Sequence, residues 1–190
     1  MLDRIRGALG PQPSVPEVPR AYRRSGDGGL DLFCERVADY VAKVHRVAEP
    51  DLDAALAGAV NGRVIAAPGL ARQGTTTDGP HVTAAELDGF DAALTGCALA
   101  IAETGTIVLD GGRTSGRRAL TLVPDHHLCV VRAEQIVASV PEAIEALAEA
   151  AREGRPITFV SGPSATSDIE LERVEGVHGP RKLDVFVVAA

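Results

Sequence analysis

The sequence predicts an α/β fold, a three-layer α/β/α sandwich on a mostly parallel sheet with an antiparallel portion. Three observations carry this. The apolar content of 45% comes chiefly from Ala, Val, Leu and Ile, with 3% aromatic residues and no Trp, so the core is aliphatic and suits packed α/β layers. Segments of helical and strand-like apolar spacing alternate along the chain. A strand-rich block interrupts that alternation near the middle and supplies the antiparallel portion. At 190 residues the chain suits one domain with a tail.

The tail is residues 1–29, where "GPQPSVPEVPR" sets prolines too densely for a helix or an inner strand, and "AYRRSGDGG" adds a solvated basic stretch. The domain is residues 30–190. It opens with "LDLFCERVADYVAKVHRV", whose Leu30, Phe33, Val37, Tyr40, Val41 and Val44 recur at three- and four-residue spacing and predict one amphipathic helix. A short helix over "EPDLDAALAGAV" and a buried strand over "GRVIAAP", closed by Pro68 and Gly69, come next. After the loop "GLARQGTTTDGPHV", the segment "TAAELDGFDAALTG" reads as helical or turn-rich.

In the middle block, "CALAIAETGTIVLD" holds two apolar runs around Glu103, Thr104 and Gly105, and "RRALTLVP" and "HLCVVR" read as two further strands. The "DGGRTSG" stretch has the composition of a loop joining two antiparallel strands. "VPEAIEALAEAAREG" predicts a helix with Pro141 in its first turn, Ile144 and Leu147 on one face and Gly154 as its stop. "PITFVSG" and "RKLDVFVVAA" read as inner strands flanking the last polar segment.

A net charge of -7 argues against a nucleic-acid role, because phosphate backbones are held by clustered Lys and Arg. Cys34, Cys97 and Cys129 are far apart, form no CxxC pair and each sits in an apolar run, so they read as small buried side chains, with no metal site assigned. His126 and His127 are adjacent, so in a strand they face opposite ways and do not ligate one metal together. No stretch approaches the roughly 20 apolar residues of a membrane span, and the N-terminus does not resemble a signal peptide. A cytoplasmic location is the expectation.

Two constellations are candidates for chemistry. Glu103 lies between apolar strands, where a carboxylate must be paired, emerge at a strand end or serve as an acid, base or nucleophile; Thr104 and Gly105 bend the chain beside it. The "ITFVSGPSATSDIE" stretch runs a strand into Gly162 and then offers Ser164, Thr166 and Asp168, whose hydroxyls and turn amides suit an anion. Asp168 equally suits a cap on the following turn. His178 is a general-base candidate if Asp168 and Glu170 fold back to orient it. The "RQGTTTDG" loop suits a phosphate or carboxylate, or a solvated connection.

The order and spacing of "AIAETGTIVL", "LTLVPDHHLCVV", "SGPSATSDIE" and "GVHGPRKLDVFVV" resemble the LUD-domain family, of the lactate utilization protein C type. The resemblance covers roughly residue 30 to the C-terminus and is strongest from Ala98 onward. It implies the fold shared by sugar-phosphate isomerases, glucosamine-phosphate deaminases and CoA transferases. It also implies a part in oxidising L-lactate to pyruvate, beside an iron-sulfur subunit and a second redox subunit, with clusters on the partner and no cofactor on this chain. The loop departs from the family pattern at Ala165, where a basic residue is common, and at Ser167, where alanine is. The alternative is a stand-alone enzyme or binder for a small anionic metabolite, a phosphosugar, folate or CoA ester. There Glu103 acts as nucleophile or base, the Gly162 to Asp168 loop holds the anion and His178 assists proton transfer.

Overall fold

The structure, a computed structural model, describes residues 1–10, 17–19, 21, 23–163 and 179–189. Helix α1, Leu2–Leu9, buries none of its residues. Helix α2, Leu30–Asp39, buries Phe33, Cys34 and Val37, and strand β1, Lys43–Ala48, follows. A 3-10 turn, Glu49–Asp51, leads into helix α3, Leu52–Ala59. Strands β2, Val64–Ala66, and β3, Thr75–Thr77, precede the short helix α4, Ala84–Leu87. Strands β4, Ala92–Gly96, β5, Leu99–Ile101, and β6, Thr106–Leu109, lead to a 3-10 turn at Arg118–Thr121 and strand β7, His126–Arg132. The remainder is β8, Ile136–Val137, α5, Val140–Ala146, α6, Ala148–Arg152, β9, Thr158–Val160, and β10, Lys182–Ala189.

Six strands form a parallel sheet in the order β1-β10-β7-β4-β2-β3, so the fold class read from the sequence is the one observed. One face presents Leu94, Leu128, Val130, Phe186 and Val188 to Leu52 and Leu56 of α3. The other presents Cys129, Val131, Leu183, Val185 and Val187 to α2 and to a second sheet, β8-β5-β6-β9. The antiparallel portion is this second sheet: β6 runs antiparallel to both β5 and β9. Ala143 and Leu147 of the α5–α6 region back it, against Leu99, Ile101 and Val108. Parallel strands buried on both faces explain the near-continuous apolar runs of β7 and β10.

Several local expectations are corrected. The helix predicted through Val44 stops at Asp39, because Val41 takes φ 66° and Val44 pairs with Val185 in the sheet. Its β-branched residues fit the pleated edge better than another helical turn. The run "DAALTG" is not helical: Ala92–Gly96 is a wholly buried strand, a case in which a short apolar run does not declare its period. "RRALTLVP" forms the 3-10 turn that buries Leu120, so "DGGRTSG" joins β6 to that turn instead of joining two antiparallel strands. Ile144 is exposed, and Ala143, Leu147 and Ala150 make the packed face. The "PITFVSG" strand is an edge strand of the second sheet, with Phe159 47% exposed, whereas β10 is an inner strand of the first.

Candidate functional site

The Glu103 corner is a reverse turn between β5 and β6, folded under α2. Glu103 Oε1 accepts the Val140 N–H at 2.8 Å, and Oε2 pairs with Arg23, which ties the end of the N-terminal arm to the domain. Glu142 accepts the Ala138 and Ser139 N–H groups at 2.8 and 2.9 Å, so two carboxylates satisfy the backbone donors that lead into α5. The Val140 hydrogen bond, with the Arg23 guanidinium, outweighs partial burial and holds the Glu103 carboxyl below the usual range. A group lowered in this way stabilises the fold above its unfolded pKa, and that contribution is lost as pH falls through the lower folded value. Glu103→Gln is therefore expected to cost about 1 kcal/mol at neutral pH and progressively less as pH falls below the ordinary glutamate range, read from urea unfolding across a pH series.

Thr104 Oγ1 lies 2.8 Å from Thr106 Oγ1, which lies 2.7 Å from Ser161 Oγ at the end of β9. The hydroxyl chain brings the two sequence-predicted constellations together at Thr104, Gly105 and Gly162. Gly105, at φ 59°, is pressed against the α2 backbone, and Gly162, at φ 102°, lies beside Tyr40. Ser164, Thr166, Asp168 and His178 lie outside the described residues.

Three further groupings form only through tertiary pairing. Asp184, 4% exposed, accepts from His45 Nε2 and His126 Nε2, each at 2.5 Å, on three adjacent strands. The His45 ring stacks on Phe186 at 4.6 Å. On the opposite face His127 Nε2 meets Thr95 Oγ1 at 2.7 Å, and that hydroxyl donates to Cys129 Sγ at 3.9 Å. Cys97 gives its S–H to Gln135 Oε1 at 3.7 Å; the neighbouring Cys97, with His127 and Thr95, lowers the Cys129 thiol, while the neighbouring Cys129 and burial raise Cys97. All three cysteines are buried, as their apolar surroundings predict. The two adjacent histidines do face opposite ways.

The third grouping is a cleft of about 480 Å³ between α3 and the Arg72–Thr75 turn, floored by Leu56, Leu94 and Leu128. Arg72 also lines a smaller cavity of about 150 Å³ at the carboxyl ends of β4 and β7, with Cys97, Arg132 and Gln135. In open α/β sheets that end of the strands is where ligands bind. The "RQGTTTDG" loop thus lies on a cleft wall, while Leu56, Leu94 and Leu128 carry no sequence signal beyond that of core residues.

A family model described as the LUD domain matches residues 33–188. The chain belongs to the LUD domain family. This LUD domain is 49% identical over 99% of its length to "Lactate utilization protein C" of Deinococcus radiodurans, covering 93% of that protein. It is 35% identical over 52% of its length to "Lactate utilization protein C" of Shouchella clausii, and 37% over 46% to "Uncharacterized protein YkgG" of Escherichia coli; those matches span 44% and 39% of the relatives. A crystal structure of a DUF162 family protein from Deinococcus radiodurans superposes with TM-score 0.71 at 45% identity, covering 83% of this chain and 94% of that one.

Within the LUD domain two of the motifs that carry the family resemblance are neighbours in space. The "PDHH" and "GPRKLD" segments meet at the amino ends of β7 and β10: Arg181 N–H donates to Asp125 O at 2.9 Å, its guanidinium pairs with Asp125 at 2.6 Å, and His126 meets Asp184. Among the described residues, no three His, Cys, Asp or Glu side chains converge as a metal site, and no helix is long and apolar enough to cross a membrane.

Proposed function

We propose that this LUD domain serves lactate utilization in the cytoplasm as a non-cluster subunit of an iron-sulfur system that oxidises L-lactate to pyruvate. The observation that carries this is the near full-length match, at 49% identity, to a protein named for lactate utilization. The iron-sulfur clusters and the electron-transfer steps belong, on this reading, to cysteine-rich partners. What supports that division is the state of the cysteines here: Cys34 faces the core from α2, and Cys97 and Cys129 are buried in the same core cluster, bonded to Gln135 and Thr95 respectively. The rival reading, in which Glu103 is a nucleophile or base for a small anionic metabolite, has against it that both Glu103 oxygens are already held, by Val140 and Arg23.

The test is affinity purification of the tagged full chain from lactate-grown cells, with growth measured after deletion of its gene. Recovery of a cysteine-rich iron-sulfur partner, together with slowed growth on lactate and normal growth on glucose, is the expected result. Recovery of the chain alone with unimpaired growth on lactate overturns the proposal.

A further inference from the structure

The cleft beside α3 has the composition of a small-molecule site. Its volume, about 480 Å³, lies within the range of pockets that take cofactor- or metabolite-sized ligands, and is several times what a three-carbon acid fills. Its floor is apolar: Leu56 from α3, Val60 just past its end, Val64 from β2, and Leu94 and Leu128 from the sheet. These side chains offer a ligand nothing but desolvation, so the body they accept is aliphatic or aromatic.

The charged side chains of its lining are Arg72 and Asp53. Among the described residues, Arg72 is the one basic residue on the cleft wall, and it also lines the smaller cavity at the carboxyl ends of β4 and β7. Its Nη1 pairs with Asp53 at 2.5 Å, while its Nε is buried with no hydrogen-bond partner among the described residues. Asp53 is 75% exposed and free to swing into water. The neighbouring Arg132 is committed, since both its Nη atoms bind Glu49, at 2.8 and 3.0 Å. Glu49, Asp53, Arg72 and Arg132 together sum to zero charge. One incoming carboxylate can take the place of Asp53 on the Arg72 fork, whereas a dianionic phosphate adds charge that this balanced group does not neutralise.

We propose that the cleft binds a monocarboxylic acid with an apolar or aromatic body larger than a three-carbon acid, its carboxylate on Arg72 and its body along α3 over Leu56, Leu94 and Leu128. The site is independent of the lactate reading and stands or falls separately. Its place in the fold follows from the sheet order: α3 packs over β1 and β10 and leaves Leu128 of β7, Leu94 of β4 and Val64 of β2 to line the cleft beside the Arg72–Thr75 turn.

Isothermal titration of the full chain with 2-naphthoate, and with octanoate as a second probe, tests the proposal. At least one is expected to bind saturably at one site per chain, with the neutral analogue 2-naphthalenemethanol weaker by at least about tenfold. Arg72→Met is expected to weaken the acid by a similar factor, and Asp53→Asn to leave it unchanged or tighter. Ala57→Phe, at an exposed position on the cleft wall, should block it while the thermal midpoint is kept, and it serves as the deciding variant if Arg72→Met does not fold. Saturable binding lost in either variant supports the site. Absence of saturable binding by both probes, or binding that both variants leave unchanged, overturns it.

Discussion

Asp184→Ala is expected to destabilise the fold by about 3 kcal/mol, a lowering of the thermal midpoint by about 6–12 °C for a domain of this size. The carboxylate is buried near the amino end of β10, an inner strand of the parallel sheet, with His45 on one oxygen and His126 on the other. Alanine leaves two imidazole N–H groups facing an apolar space. The His126 side chain is 11% exposed and has no water to replace its partner, whereas His45 at 35% recovers part of its loss from solvent. That asymmetry keeps the expected cost below the upper end for a broken buried pair. Asp184→Asn should cost less, because the amide oxygen still accepts from one ring and its NH2 donates to the other in the alternative tautomer. Urea unfolding of both variants checks this; a loss under about 1 kcal/mol for alanine, or an equal loss for both, is the contrary result.

Gly105→Ala is expected to cost about 3 kcal/mol, although it adds one methyl group. The residue sits at φ 59°, and a Cβ there would come within 2.6 Å of the Arg36 carbonyl carbon and 2.7 Å of the Val37 nitrogen. Those are helix backbone atoms, which do not move aside as the end of a side chain does. Gly154→Ala is the control: φ is 70°, yet nothing lies within 4 Å, so only the left-handed backbone is strained and about 1 kcal/mol is expected. A difference between the two variants measures the clash between the Glu103 corner and α2. Equal costs in thermal unfolding would mean that corner is loosely packed.

How far the site was legible follows from the same residues. Glu103, Thr104, Gly105 and Gly162 stand out in the sequence because a carboxylate and glycines beside apolar runs need an explanation, and the structure supplies one: a corner clamped to α5, α2 and Tyr40. Arg72 was visible only as part of a polar loop. The cleft floor was invisible, since Leu56, Leu94 and Leu128 read like any other buried aliphatic residue until one face of the sheet is seen half covered. His126 and His127 were separable by strand alternation alone, but neither Asp184 nor Thr95 was nameable as a partner.

The sequence by itself determined the α/β class, the aliphatic core, most strand and helix positions, and, through its motifs, the family. These rest on short-range spacing and composition, which survive without three dimensions. Only the tertiary structure decided that the central strands split into two sheets, that Val44 and Ala92–Gly96 are strand, and that Asp184 is shared by two histidines. Each of these is fixed by pairing between residues that lie far apart in the chain, such as His45 with Asp184, separated by 139 positions. Local propensity does not encode which strand becomes whose neighbour; burial of both sheet faces does.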